Sequence, residues 1–168
     1  MNIKKARVLV VDEILSMRRV VTGVLKSMGI ESTVESTSVK DAVSRLSSTD
    51  FDLVITEITL HDGDGFMILK HVRESVTYKN IPVVFVTSET RKAVVMNAIE
   101  SGISGYLVKP FAPMALQEKL EIAWYKYIRE RKQAAGEDVS DENKLRASMG
   151  IERQAESPVT SMFQRIDR

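Results

Sequence analysis

Five residues stand where short apolar runs give way to polar sequence: Asp12, Glu13, Glu57, Thr87 and Lys109. Their types together suit a phosphoryl group. Three carboxylates in one pocket repel one another unless a cation lies among them, and hard oxygen ligands select Mg²⁺ or a similar ion. An ammonium and a hydroxyl facing them would hold the negative oxygens of an incoming phosphoryl group. Each residue alone has an ordinary explanation, since acids after a strand often cap the next helix and Lys-Pro is a common turn. Their joint recurrence at strand ends carries the reading. Glu57 is the most informative of them. It closes the run Phe51-Asp-Leu-Val-Ile-Thr-Glu57 just before the turn-rich Thr59-Leu-His-Asp-Gly-Asp-Gly65, where a reactive acid is expected.

Such a convergence needs a scaffold that brings distant strand ends to one edge. Short β-rich runs recur every ~20 to 28 residues and alternate with helical patterns, the signature of βα units around a parallel sheet. The spacing predicts strands near 6–11, 32–37, 52–57, 82–87 and 104–108. Val8-Leu-Val-Val11 and Pro82-Val-Val-Phe-Val86 are apolar at consecutive positions, as central strands covered on both faces must be. Val20, Val21, Val24, Leu25 and Met28 form a helical stripe ended by Gly29. Ala42, Val43 and Leu46 form a second, and Phe66, Ile68, Leu69 and Val72 a third. A fourth helix is expected over 90–101, closed by Gly102. A fifth begins at Pro113, with Leu116, Leu120, Ala123 and Tyr127 inward and Ile122, Trp124, Tyr125 and Ile128 outward. Five such units predict an α/β fold: a doubly wound five-stranded parallel sheet in a three-layer αβα sandwich, with ligands beyond the carboxyl ends of the strands.

A chain of 168 residues fits one domain with little room for a second. We place that domain at 1–128 and a C-terminal helical extension with a largely flexible tail at 129–168. From Gly136 the apolar periodicity fades into a linker-like Gly-Glu-Asp-Val-Ser-Asp-Glu-Asn. Near the end, Ser157-Pro158 followed by Val159, Met162, Phe163 and Ile166 reads either as chance periodicity or as a short docking helix. Lysine and arginine total 24 against 23 acids, a net charge of +1, with neither a basic face nor a helix-turn-helix pattern to suggest nucleic acid. There is no cysteine, hence no disulfide, thiol nucleophile or cysteine metal site. Lys4, Lys5 and Arg7 precede an apolar run that Asp12 and Glu13 end far short of a membrane span. A cytoplasmic protein without membrane contact is expected. His61 reads as a loop residue and His71 as an exposed helix residue.

Val8-Leu-Val-Val-Asp-Glu13, Asp52-Leu-Val-Ile-Thr-Glu57 with Asp64-Gly65, Pro82-Val-Val-Phe-Val-Thr-Ser-Glu89 and Gly105-Tyr-Leu-Val-Lys-Pro-Phe111 together resemble the receiver domain of two-component response regulators, over residues 5–128. The resemblance implies a flavodoxin-like strand order 2-1-3-4-5 and a role in phosphorelay signalling rather than catalysis. It implies Asp12 and Glu13 as the metal-binding acidic pair, with Glu57 and the backbone carbonyl of Thr59 completing the ligands. Thr87 becomes the switch hydroxyl, Tyr106 the switch aromatic and Lys109 the phosphate-contacting lysine, with a cis Lys109-Pro110 bond. A histidine kinase is the implied upstream partner. The fourth helix, fifth strand and fifth helix, including Val94, Val95 and Tyr106, are the implied output surface, for another protein or a homodimer, and the tail 157–168 is a second candidate contact.

The sequence departs from this family at the acid itself, since the family's phosphoacceptor is aspartate. Glu57 carries its carboxylate about 1.5 Å farther out, and misplacement of order 1 Å costs about 100-fold in a positioned reaction. Glu13 is also longer than the usual aspartate, and Leu60-His61 replaces the usual Met-Pro. Two lengthened acids are expected to weaken or abolish Mg²⁺ binding. Glu57 instead suits a partial phospho-aspartate mimic, reaching toward Thr87 and Lys109 with one charge where a phosphate carries about 1.5 to 2. Two alternatives stay open: phosphorylation at Glu57 or a neighbour such as Asp62 or Asp64, and a silent structural adaptor.

Overall fold

The structure, a computed structural model, describes residues 1–151. The candidate docking segment 157–168 lies outside them. The main sheet has five strands: β1 (Val8–Val11), β2 (Thr33–Ser36), β3 (Leu53–Thr56), β4 (Val83–Thr87) and β5 (Gly105–Val108). All pair in parallel, in the order β2-β1-β3-β4-β5. Every residue of β1, β3 and β4 is buried, whereas β2 and β5 are only partly covered. Continuous apolar sequence thus occupies the centre and mixed sequence the edges, as burial on both faces demands.

Among the described residues six α-helices accompany the sheet: α1 (Leu15–Ser27), α2 (Val39–Ser48), α3 (Gly65–Glu74), α4 (Lys92–Glu100), α5 (Pro113–Ala134) and α6 (Glu142–Ser148). α1 packs with α5, and α2 with α3. Ser38 caps α2 through the Asp41 amide at 3.1 Å, and Asp64 caps α3 through the Met67 amide at 3.0 Å. Pro113 opens α5, where its missing N–H is not needed.

The register sets the functional edge. Val11 lies level with Thr56, Thr56 with Phe85, and Thr87 with Val108. The next residue of each chain is tied to its neighbour: Glu57 N–H donates to the Val11 carbonyl at 2.9 Å and Lys109 N–H to the Thr87 carbonyl at 2.8 Å. Asp12, Glu57 and Lys109 therefore leave the sheet along one line.

Four features differ from the sequence reading. Val20 is exposed, and α1 buries Val21, Val24 and Leu25 instead. Trp124 and Ile128, expected outward, are buried, because α5 packs on both β5 and α1 and therefore covers a wider arc than one stripe. A two-strand hairpin, Thr59–Leu60 with Gly63–Asp64, follows Glu57.

Finally, the stretch read as a linker holds α6, and the turn that follows it packs back on the N-terminus. The Ile3 amide donates to the Met149 carbonyl at 2.8 Å, Leu145, Met149, Ile151 and Ile3 are all buried, and the Arg146 guanidinium lies 4.8 Å over the Tyr125 ring. The apolar residues here are too few to show a helical period, so only the packing reveals them. Met149→Ala is expected to cost about 2 to 5 kcal/mol, read as a lowered urea midpoint. An unchanged midpoint would mean that this C-terminal turn adds nothing to the fold.

Candidate functional site

The site is built on an ion-paired bridge. The Lys109 ammonium donates to Asp12 Oδ2 and to Glu57 Oε2, each at 2.6 Å, with all three side chains about nine-tenths buried. The second oxygen of each acid is held by local backbone. Asp12 Oδ1 accepts the Ile14 amide at 2.8 Å, and Glu57 Oε1 accepts the Ile58 amide at 2.7 Å and the Thr59 amide at 3.3 Å. The added methylene of Glu57 lets its carboxylate fold back over the following peptides. Both charges thus have partners, which a buried carboxylate requires. The Lys109-Pro110 bond is cis, as the motif implied.

The remaining expected residues lie around this bridge but do not all join it. Thr87 Oγ1 accepts the Glu89 amide at 3.2 Å. Glu57 therefore reaches Lys109, whereas the Thr87 hydroxyl serves the β4–α4 loop. Tyr106 is half-buried, and its hydroxyl donates to the Glu89 carbonyl at 2.7 Å. Burial chiefly, with the Glu89 and Glu57 charges, holds that hydroxyl above the ordinary tyrosine range. Arg91 in turn grips the Glu89 carboxylate and holds it down at about 2. The loop that receives Tyr106 is thus itself closed by an ion pair.

Glu13 departs most from expectation. It is exposed and pairs with His61 Nδ1 at 3.1 Å, away from Lys109. Asp12 and Glu57 are therefore joined through Lys109, while Glu13 is engaged by His61. Among the described residues no three acidic or histidine side chains gather to hold a metal. Lys109 stands between two of the carboxylates and His61 holds the third.

The neighbouring acids are also engaged. Asp62 accepts the Val39 and Lys40 amides at 2.8 and 2.9 Å, bonds that hold its carboxyl below the usual range, with Lys40 the larger cause. Asp64 caps α3. Both are helix caps, which argues against them as alternative nucleophiles. The Asp64 cap was legible from Asp-Gly before an apolar helical run, whereas Asp62 caps α2, 23 residues upstream, which no local pattern signals. Sequence reasoning also missed Arg18, which donates to the Asp12 carbonyl and pairs with Glu35. His71, expected exposed, is half-buried with Nε2 3.0 Å from the Tyr78 hydroxyl.

Beside the bridge lies an open cleft of about 400 Å³ lined by Asp12, Glu13, Glu57, Thr59, Thr87 and Glu89, among others. A family model described as the response regulator receiver domain matches residues 8–121, a span that includes every residue of this cleft and the lysine beside it. The chain belongs to the receiver family. It is 34% identical over 118 residues to the chemotaxis protein CheY-3 of Vibrio cholerae, covering 70% of this chain and 91% of that one. It is 35% identical over 117 residues to CheY1 of Helicobacter pylori, covering 69% and 94%. The solved structure of chemotaxis response regulator CheY4 of Vibrio cholerae superposes with a TM-score of 0.66 at 30% identity, covering 71% of this chain and 98% of that one. The sheet order is that of these CheY-like structures. Receivers are two-component signalling modules that interact with histidine kinases and other proteins, and they typically bind Mg²⁺ at the phosphorylation site. Among the described residues, no helix of this receiver is long and apolar enough to cross a membrane.

Lys109 links the site to stability. Burial opposes its charge, but the bonds to Asp12 and Glu57 outweigh that and raise its pKa above 10.5. A folded-state pKa above the unfolded one gives stability that is complete below the unfolded value and lost as pH rises through the folded one. Lys109→Met is expected to cost about 2 kcal/mol near neutral pH, less than a fully buried pair because the cleft admits water. That difference should shrink above pH 10.5. Chemical denaturation of both proteins from pH 7 upward checks it, and a difference independent of pH would exclude the bridge as its source.

Proposed function

We propose that this receiver works as a protein-binding module whose conformation is set by Glu57 as a partial phospho-aspartate mimic. The observation that carries the reading is the bridge. Glu57 stands where the family's reactive aspartate is expected, and it enters its own charge-assisted bonds with Lys109 and the Ile58 amide. A carboxylate with each oxygen held by a short hydrogen bond is a weaker and less freely placed nucleophile. The inward Tyr106, bonded to the Glu89 carbonyl, supports a switch already drawn toward its signalling position. Shifting such a two-state equilibrium tenfold takes only about 1.4 kcal/mol, well within the reach of one buried charge. Mg²⁺ is not needed for this mode, since the ammonium already stands between the two acids and offsets part of their charge.

The output surface on this reading is the face of α4, β5 and the start of α5. Met96, Ile99, Val108 and Met114 are large apolar side chains left exposed there. An adaptable, methionine-bearing patch suits an apolar helix or loop of a partner protein. Trp124 and Ile128 are buried within the fold and are removed from this surface.

Phosphorylation at Glu57 is the second reading. The open cleft beside the acid, with the Thr87 hydroxyl on its wall, favours it. Acetyl phosphate with Mg²⁺, followed by intact-mass measurement, separates the two. The wild-type chain should show no stoichiometric adduct, and Glu57→Asp should label roughly 100-fold faster. A stoichiometric adduct on the wild type that disappears in Glu57→Gln would sink the mimic. Independently, Ile99→Asp should weaken capture of a partner more than tenfold while the melting temperature stays unchanged. Equal capture by both proteins would move the output surface elsewhere.

A further inference from the structure

Tyr106 is held from two sides, and only one of them is the Glu89 carbonyl. Its ring meets the ring of Phe85 edge-on, with centroids 6.3 Å apart, and the two residues are level in the β4–β5 register. Phe85 is fully buried and meets Phe66, in the first turn of α3, edge-on at 5.1 Å. The same ring also lies close to Gly65, at the start of α3. A methyl group built on Gly65 would lie 3.3 Å from the Phe85 ring and 2.6 Å from the Glu57 carbonyl oxygen. That carbonyl is fixed by the Thr56 hydroxyl at 2.9 Å, and the Gly65 amide is tied to the Ile58 carbonyl at 2.8 Å. Glu57, Gly65, Phe85 and Tyr106 thus follow one another in close approach, with Phe66 packed edge-on against Phe85. None of these contacts involves the Thr87 hydroxyl.

We infer that Phe85, braced by Phe66, is a positioning residue that sets how far Tyr106 turns inward. The state of the Glu57 backbone and hairpin then reaches Tyr106 through ring packing as well as through the β4–α4 loop. The physical basis is that packed rings have few alternative arrangements. A displaced Gly65 backbone would press on Phe85, whose ring meets both Tyr106 and Phe66. The space Tyr106 occupies is therefore bounded by an aromatic wall rather than by flexible aliphatic side chains. This inference rests on the proposed role of Tyr106 as the switch, but it does not require Glu57 to act as a phosphate mimic.

The test measures the χ1 populations of Tyr106 by three-bond NMR couplings in the full chain with labelled tyrosine, assigned with Tyr106→Phe. Phe66→Leu removes the brace at a half-buried position, and Phe66→Tyr keeps the ring. The inward-to-outward ratio is expected to fall about threefold to tenfold in Phe66→Leu, the scale of one edge-to-face ring pair, and to be restored in Phe66→Tyr. Phe85→Leu should lower it further if that variant folds, and Phe66→Leu carries the test if it does not. A merely structural loss would lower the melting temperature without moving this ratio. Combining Phe66→Leu with Thr87→Val should give additive shifts, because the two routes are separate. An unchanged Tyr106 ratio in folded Phe66→Leu, or no added shift in the double variant, overturns the inference. Glu57→Gln is measured alongside. If it leaves the ratio unchanged while Phe66→Leu moves it, the mimic fails and the aromatic wall stands.

Discussion

The arrangement of the site depends on one ammonium group between two carboxylates. Asp12 and Glu57 end adjacent parallel strands and so must stand side by side, where two uncompensated charges would repel. Lys109 enters from β5, two strands beyond β3, and meets both at 2.6 Å. Each acid then spends its other oxygen on the amide that follows it. Once that bridge forms, the remaining polar groups sort themselves around it. Glu13 is left to His61, Thr87 to the β4–α4 loop, and Tyr106 to the Glu89 carbonyl. The signalling edge is therefore an electrostatically satisfied surface with an open cleft beside it, rather than a cluster of bare acids.

The hairpin after Glu57 is the second organising element, and it works by capping. Asp62 closes the first turn of α2 and Asp64 the first turn of α3. Gly65 lets the chain pass within contact distance of the Glu57 carbonyl and the Phe85 ring, where any side chain would collide with backbone. The peptide that carries the acid is consequently fixed by two helices and one aromatic wall. Small changes at the Glu57 carboxylate have little room to dissipate there, because close-packed interiors transmit displacement. The opposite end of the sheet is closed differently. α6 and the turn at Met149 lock the N-terminal segment by apolar burial and one backbone bond.

Asp12, Glu13, Glu57, Thr87 and Lys109 were legible as a group because each stands at the end of a β-rich run, and strand ends in a parallel sheet converge, whereas Tyr106 entered only through the family resemblance. The five strands were legible for the same reason: consecutive burial leaves consecutive apolar residues. The pairing of Glu13 with His61, 48 residues away, could not be read from the sequence, because an exposed acid takes its partner from whatever the fold brings near. Trp124 and Ile128 were misplaced because a one-stripe reading of α5 assumes one packing partner, while the helix has two. α6 escaped notice because seven residues with one buried leucine carry no period.

By itself, then, the sequence determined the alternation of strands and helices, the polar residues at the strand ends, and the glutamate among them. These follow from local periodicity and from residue type at strand ends, information written within a few residues. Only the tertiary structure decided where each charge finds its partner: Lys109 between Asp12 and Glu57, Glu13 on His61, and Asp62 on α2. A side chain selects its partner by distance and burial in the folded chain. Residues separated by 23 to 97 positions acquire that distance only when the layers pack.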